Sequence, residues 1–247
     1  MKSIILCEGS TDGVLLQYFM REVHQWEDVN KQKKLFGEHA VWFRSLKKAN
    51  DRLDIVSCRG SSKLLPCLEY LFDLSKIANS SEAYEKVVIL TDRDEYRTEG
   101  DFVDAVSEIM AQNEVKMIEQ LVHNEWTSCE YKTINNRTRN LQLLLLVIPF
   151  ENNGAMETFL LNAISAKDPY DAIIIQQGNQ FVENVDPERR YLTQRRYITK
   201  AKFDVYFSIR TSAAQFSQRQ DILRGVKWED YIDVQGDFEK LADLSEQ

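Results

Sequence analysis

Two short apolar runs constrain this chain more than anything else in it. Residues 4–7 (IILC) and residues 86–91 (KVVILT) are each four to six residues long, and each ends in acidic residues. Apolar positions at helical spacing follow both runs: Val14, Leu15, Tyr18 and Phe19 after the first, and Phe102, Val103, Val106, Ile109 and Met110 after the second. A run of this length without alternation is the mark of a strand buried on both faces, as parallel strands are. Residues 54–58 (DIVSC) and 141–148 (LQLLLLVI) read as two further strands. The first precedes a helix starting near Gly60, and the second ends at Pro149 before a helix opened by Gly154, Ala155, Met156 and Glu157. Residues 126–139 carry the turn-prone pair Asn135-Asn136 and read as a hairpin leading into residues 141–148.

Strands alternating with helices predict an α/β core with a mostly parallel, Rossmann-like sheet covered by helices on both faces. That core is expected over residues 1–165, with a helix-containing connection or insertion at about 24–50. Residues 166–247 are expected to form a mainly helical extension packed on the core, with helices over 172–185, about 193–212 and 238–244. Chain length permits one large domain or one core with an appendage.

Composition narrows the function classes. The formal net charge is −8, which opposes a general electrostatic grip on nucleic acid. The charge is uneven, however. Residues 187–227 hold ten basic residues, among them Arg189, Arg190, Arg195, Arg196, Lys200 and Lys202, against Glu188, Asp204 and Asp221. Such a block is either a solvated helix face or a surface that contacts phosphates. The four cysteines, Cys7, Cys58, Cys67 and Cys129, form no CxxC pair and do not cluster with the three histidines. They predict buried thiols in a reduced, cytoplasmic protein without a zinc site. The N-terminal apolar run is too short for a signal peptide, and residues 141–150 are too few to span a membrane.

In open α/β sheets, sites form beyond the carboxyl ends of the strands. Here those ends carry Glu8 with Asp12, then Asp92 with Asp94, then Glu157 on the helix after the fourth strand. Carboxylates crowded at neighbouring strand ends repel one another unless protons or a cation offset them. Magnesium is held by oxygen donors, typically one or two carboxylates with waters and substrate phosphate. Each acid also has an ordinary reading, since Asp12 can match the helix dipole and Asp94 can face water. Ser10 or Thr11 can cap the first helix.

The segments IILCEGSTDGVLLQYF and VVILTDRDEY together resemble the two motifs of Toprim domains, the fold shared by topoisomerases, primases and OLD-type nucleases. In that family a Glu-Gly after the first strand is followed by Asp three residues past the Gly, and Asp-x-Asp follows a later apolar strand. The resemblance implies that Glu8 acts as general acid/base or binds metal, that Asp92 and Asp94 coordinate Mg²⁺ (or Mn²⁺), and that Asp12 ligates a second ion or supports the first. IPFENNGAMETFLLNAI is similar to a segment of small stand-alone bacterial Toprim proteins, which makes Glu157 a further candidate ligand. These proteins carry a lysine late in the domain, a role that Lys200 or Lys202 could fill.

The function so implied is metal-dependent hydrolysis of nucleic-acid phosphodiester bonds, in DNA or RNA, with Arg189, Arg190, Arg195 and Arg196 on the substrate backbone. The alternative is a non-catalytic nucleic-acid-binding or regulatory module that keeps a structural Mg²⁺ site, as the partner of a separate ATPase in a defence system. An acyl-phosphate mechanism on Asp92 is disfavoured, because Glu95-Tyr96-Arg97 stands where a Ser or Thr is expected. The sequence leaves the oligomeric state open.

Overall fold

The computed structural model describes residues 1–29, 36–93, 99–150, 153–214 and 219–245. Its centre is a mixed eight-stranded sheet. The strands are β1 (Lys2–Cys7), β2 (Glu27–Asp28), β3 (Ala40–Lys48), β4 (Asp51–Cys58), β5 (Lys86–Asp92), β6 (Lys116–Met117), β7 (Trp126–Lys132) and β8 (Thr138–Ile148), in the order β2-β3-β4-β1-β5-β8-β7-β6. β4, β1, β5 and β8 run parallel, whereas β2 and β3 add to one side antiparallel and β7 and β6 to the other.

The expectation of a mostly parallel sheet is therefore corrected. Antiparallel pairings outnumber parallel ones among the described residues, and parallel pairing is confined to the centre. Residues 40–48 are the main reason. They form a nine-residue strand in register with β4, Leu46 opposite Leu53, where the sequence predicts an insertion with a helix. Their apolar and basic side chains do not alternate strictly, because β3 lies near the sheet margin and buries only Ser45 and Leu46 fully.

The central strands behave as their composition demands. Ile5, Cys7, Val88, Leu90, Leu144 and Leu146 face one side, and Ile4, Leu6, Val87, Ile89, Leu143 and Leu145 face the other. Every side chain of these stretches is thus used, which is why they read as unbroken apolar runs. Helices α2 (Ser61–Ile77) and α3 (Glu99–Gln112) cover the second face. The first face carries α1 (Ser10–Glu22), α4 (Met156–Lys167), α6 (Arg195–Arg210) and the short α7 (Arg219–Gly225) and α8 (Ile232–Asp237). Between α4 and α6 runs α5 (Pro169–Val185).

The C-terminal helices share one core with the sheet. Phe203, Phe207, Trp228 and Phe238 are buried in the same cluster as Leu15, Phe19 and Phe159. The Trp228 Nε1–H donates to the Leu223 carbonyl at 2.7 Å, and the Tyr18 hydroxyl donates to Glu229 at 2.6 Å, so this layer is pinned by polar contacts as well. Residues 238–244, expected as a helix, form a 3-10 turn over Glu239–Leu244. Among the described residues no helix is long and apolar enough to cross a membrane.

Candidate active site

The topology selects one location for a site. From β1 the chain moves to β4 on one side, then crosses back to β5 on the other, so the crossover direction reverses between β1 and β5. Open α/β sheets hold ligands in the crevice beyond the carboxyl ends of the strands at such a reversal. Glu8 immediately follows β1, and Asp92 is the last residue of β5.

Hydrogen bonds close the strand ends around these acids. The Glu8 carboxylate accepts from the Thr91 hydroxyl and, at 3.1 Å, from the Asp92 backbone N–H. The Glu8 carbonyl accepts from the Gly60 N–H at 3.0 Å, which ties in the loop after β4. Asp92 accepts from the Met156 N–H at 3.1 Å, placing its carboxylate at the N-terminus of α4, where the helix dipole favours an anion. The Gly154 N–H donates to the Arg93 carbonyl at 2.9 Å, which holds the approach to α4 against the end of β5.

Asp12 lies in the first turn of α1, 5% exposed, and accepts from the Gly9 N–H at 2.8 Å. This bond, made from three residues inside the helix, caps α1 in place of the Ser10 or Thr11 hydroxyl expected from sequence. α1 can sit this close because Gly13 has no side chain: a Cβ there would lie 2.3 Å from the Ser57 hydroxyl and 2.7 Å from the Trp42 ring. Glu157, also 5% exposed, projects from the first turn of α4.

These four acids share one electrostatic environment. Burial, followed by the charges of Glu157 and Glu8, raises Asp12 from 3.8 to about 7, against the lowering effects of the Gly9 N–H and of Lys200. Asp92 is raised well above the ordinary carboxylate range by burial first, then by Asp12, Glu8 and Glu157, with the Met156 N–H opposing. Acids separated by up to 149 positions thus act on one another, and the lysine of α6 whose charge acts on Asp12 is the exposed Lys200. Lys202 is occupied elsewhere, in a 2.6 Å ion pair with Glu183 of α5. Two residues along a helix turn a side chain to another face.

The arginines divide in the same way. Arg195 opens α6, and Arg196 lies one turn before Lys200 on the same helix face. Arg196 stacks 5.0 Å from the Tyr197 ring centroid. Arg189 and Arg190 are exposed in the connection before α6, where Asp186 accepts from the Arg190, Tyr191 and Leu192 N–H groups. Asp94 lies outside the described residues. Arg93, between the two aspartates, is drawn to Glu99 at 2.9 Å and to the Pro149 carbonyl. Thr91, which holds Glu8, is missed by sequence reasoning. Its only signal is a hydroxyl as the last side chain of an otherwise apolar strand.

Among the described residues no group of three or more His, Cys, Asp or Glu side chains stands converged on one point. The acids are near enough to repel through a low-dielectric interior without forming a closed cage. Their side chains offer oxygen donors, the kind that a hard divalent cation such as Mg²⁺ takes, with waters and only one or two protein carboxylates. They do not fit zinc, which prefers nitrogen and sulfur donors: the free cysteines are buried.

Stability should report this stored repulsion. A carboxyl whose value is higher in the folded than in the unfolded chain contributes stability that is complete below about 3.8 and disappears as pH rises through about 7. In the presence of a chelator, Asp12→Asn should therefore gain stability over the parent as pH rises across that window. The gain should reach a few kcal/mol, since each unit is worth about 1.4 kcal/mol. Urea unfolding at a series of pH values measures it. A difference that does not change with pH would mean that Asp12 is not the buried, strained acid described.

Comparison with known proteins places the fold before the function. The crystal structure of hypothetical protein PH0156 from Pyrococcus horikoshii OT3 is similar over 98% of both chains, with a TM-score of 0.53 and 15% identity. A glyoxalase/bleomycin resistance protein/dioxygenase family enzyme from Burkholderia phytofirmans PsJN aligns at 12% identity over 58% of this chain and 97% of that one, with a TM-score of 0.20. Lactoylglutathione lyase from Agrobacterium tumefaciens aligns at 13% over 58% of this chain and 92% of that one, with a TM-score of 0.17. Likeness this slight says nothing about either enzyme's chemistry. No curated protein matches the sequence.

The family model that matches, across residues 2–229, is DUF3226, protein of unknown function, and this overturns the Toprim resemblance. The physical reason lies in how little the two quoted motifs specify. A strand end feeding a helix often carries a carboxylate to cap it, as Asp12 caps α1 through the Gly9 N–H. The chain belongs to the DUF3226 family.

Proposed function

We propose that this protein is a divalent-metal-dependent hydrolase of nucleic-acid phosphodiester bonds. The carrying observation is how the acids at the β1/β5 reversal are tied together, Glu8 to the Asp92 N–H and Asp92 to the Met156 N–H beside Glu157, with the buried Asp12 and half-buried Asp92 both raised by burial and then by the neighbouring acids. Strongly perturbed acids cluster at functional sites, where burial and like charges tune them.

Mg²⁺ or Mn²⁺, when bound, polarises a phosphate oxygen and lowers the pKa of a coordinated water. The chain's own residues do the rest. Asp92 and Glu8, at the ends of adjacent strands, would hold the cation, with Asp12 and Glu157 adding negative charge around it. The Thr91 hydroxyl and the Asp92 N–H fix the Glu8 carboxylate, leaving Glu8 placed to take a proton from the attacking water. Lys200 offsets charge that builds on the phosphoryl oxygens. Arg195 and Arg196 guide the backbone to an otherwise acidic surface.

The last point has its own test. Replacing Arg195 and Arg196 together by alanine should weaken binding to single- or double-stranded nucleic acid about equally across sequences, and should reduce the slope of log affinity against log salt by about 2. Fluorescence anisotropy at several salt concentrations reads this directly, and an unchanged slope removes these arginines from the interface.

A second reading has one observation in its favour. Asp12 spends an oxygen on the Gly9 N–H and Asp92 spends one on the Met156 N–H, as purely structural acids would. On that reading the protein is a regulatory or nucleic-acid-binding module with a structural Mg²⁺ site, working with a separate ATPase. Titration calorimetry with Mn²⁺, run beside cleavage assays on supercoiled plasmid and structured RNA, separates the two. Binding with turnover supports the hydrolase, binding without turnover supports the module, and no binding removes both.

A further inference from the structure

We infer that the outward face of α5 is the contact surface of a homodimer. The helix runs for 17 residues, and one stripe along it exposes Tyr170 (71%), Ile173 (54%), Phe181 (57%) and Val185 (52%). The opposite side, Ile175, Gly178 and Val182, is buried against the molecule. Gly178 allows the close approach of α6 there, since a Cβ would lie 3.2 Å from Val205. α5 is therefore seated correctly, and its exposed stripe is a second apolar face. Exposed apolar residues scattered singly are ordinary, but four on one stripe form a patch of the kind that marks an interaction surface.

The charges of α5 are all engaged away from that stripe. Asp171 bonds the Tyr206 hydroxyl, Glu183 pairs with Lys202, and Asp168 caps the helix at the Tyr170 N–H. Between the apolar residues stand Gln177, Gln180 and Asn184, all exposed. Depletion of charge with retention of aromatics is the compositional mark of an interface core. Amides donate and accept, so they complement their own copies, whereas a like charge brought onto its copy would repel.

The spacing identifies the occupant as a second copy of this chain. The stripe is nearly symmetric about Gln177: Ile173 lies four residues before and Phe181 four after, with Tyr170 seven before and Val185 eight after. Two α5 helices crossing antiparallel at Gln177 place each Ile173 on the other's Phe181, which is the reciprocal pairing an isologous two-fold interface requires. The antiparallel crossing sets the two helix dipoles head to tail. It also brings Asp168 of one copy toward the α5 end of the other, where Arg189 and Arg190 follow. In a chain of net charge −8, two copies approach most easily through such a neutral, self-complementary surface.

Light scattering coupled to size exclusion on the full chain tests this. The parent should run at twice the chain mass of 28.8 kDa, and Phe181→Glu and Ile173→Lys should each halve it without changing the circular dichroism spectrum. Gln177→Cys should yield a disulfide-linked dimer under mild oxidation, because the two-fold axis passes that position and the native cysteines are buried. A monomeric parent overturns the inference. So does a dimer that survives both charge substitutions, since its contact must lie elsewhere, and so does a dimer in which Gln177→Cys fails to cross-link.

Discussion

Asp92→Ala should bring Mg²⁺- or Mn²⁺-dependent cleavage down to the level of the metal-free protein, while the fold survives. The expected loss is on the order of 10³-fold or more, because removing even one group that meets developing charge costs about 10²–10³, and Asp92 also removes a cation donor. Burial raises Asp92 first, and the charges of Asp12, Glu8 and Glu157 raise it further. Stability should change little in sum. The substitution leaves the Met156 N–H without its acceptor, at a cost of roughly 1 kcal/mol for a lost helix cap, but it also relieves a half-buried carboxyl raised by its neighbours. Asp92→Asn is the sharper variant, because an amide oxygen can keep the bond to Met156 while the negative charge is gone. If Asp92→Asn retains parental turnover at saturating Mn²⁺, Asp92 is a helix cap and no more.

Lys200→Ala should lower the rate of cleavage by about 10²–10³ with cation affinity kept or slightly increased. Lys202→Ala should leave both within a few-fold of the parent. The contrast rests on the charges that the two lysines act on. Lys200 acts on Asp12, whereas Lys202 is held at 2.6 Å by Glu183 on α5. Removing a positive charge beside the acids deepens their negative potential, so a cation binds no worse, but the charge building on the reacting phosphate loses its counterion. Lys200→Arg provides the control, since it restores charge without the compact ammonium geometry and should recover part of the rate. Equal effects of Lys200→Ala and Lys202→Ala would mean that the basic helix acts through its overall field and that neither lysine is placed at the chemistry.

These expectations depend on features that are unequally legible in the sequence. The four parallel strands are legible, since a strand buried on both faces is mostly apolar along its length and writes itself as IILC or KVVILT. The turn between β7 and β8 is legible through Asn135-Asn136, but the hairpin expected within residues 126–139 has as its second strand the whole of β8, which runs on to Ile148. β3 is not, because a strand near the margin mixes Trp42, Arg44 and Lys47 with Leu46 and matches neither period cleanly. The family, too, lies beyond two short motifs, which describe a common way of ending strands.

Sequence by itself determined which residues are apolar enough to be strands, and that acids follow them. Those are properties of neighbours along the chain. Tertiary structure alone decided that β1 and β5 are adjacent, that α4 brings the Met156 amide onto Asp92, and that Lys202 of α6 meets Glu183 of α5. Which helix face meets which strand end is set by packing across the whole first-face core, from Leu15 to Phe203 to Phe238, and no local pattern encodes it.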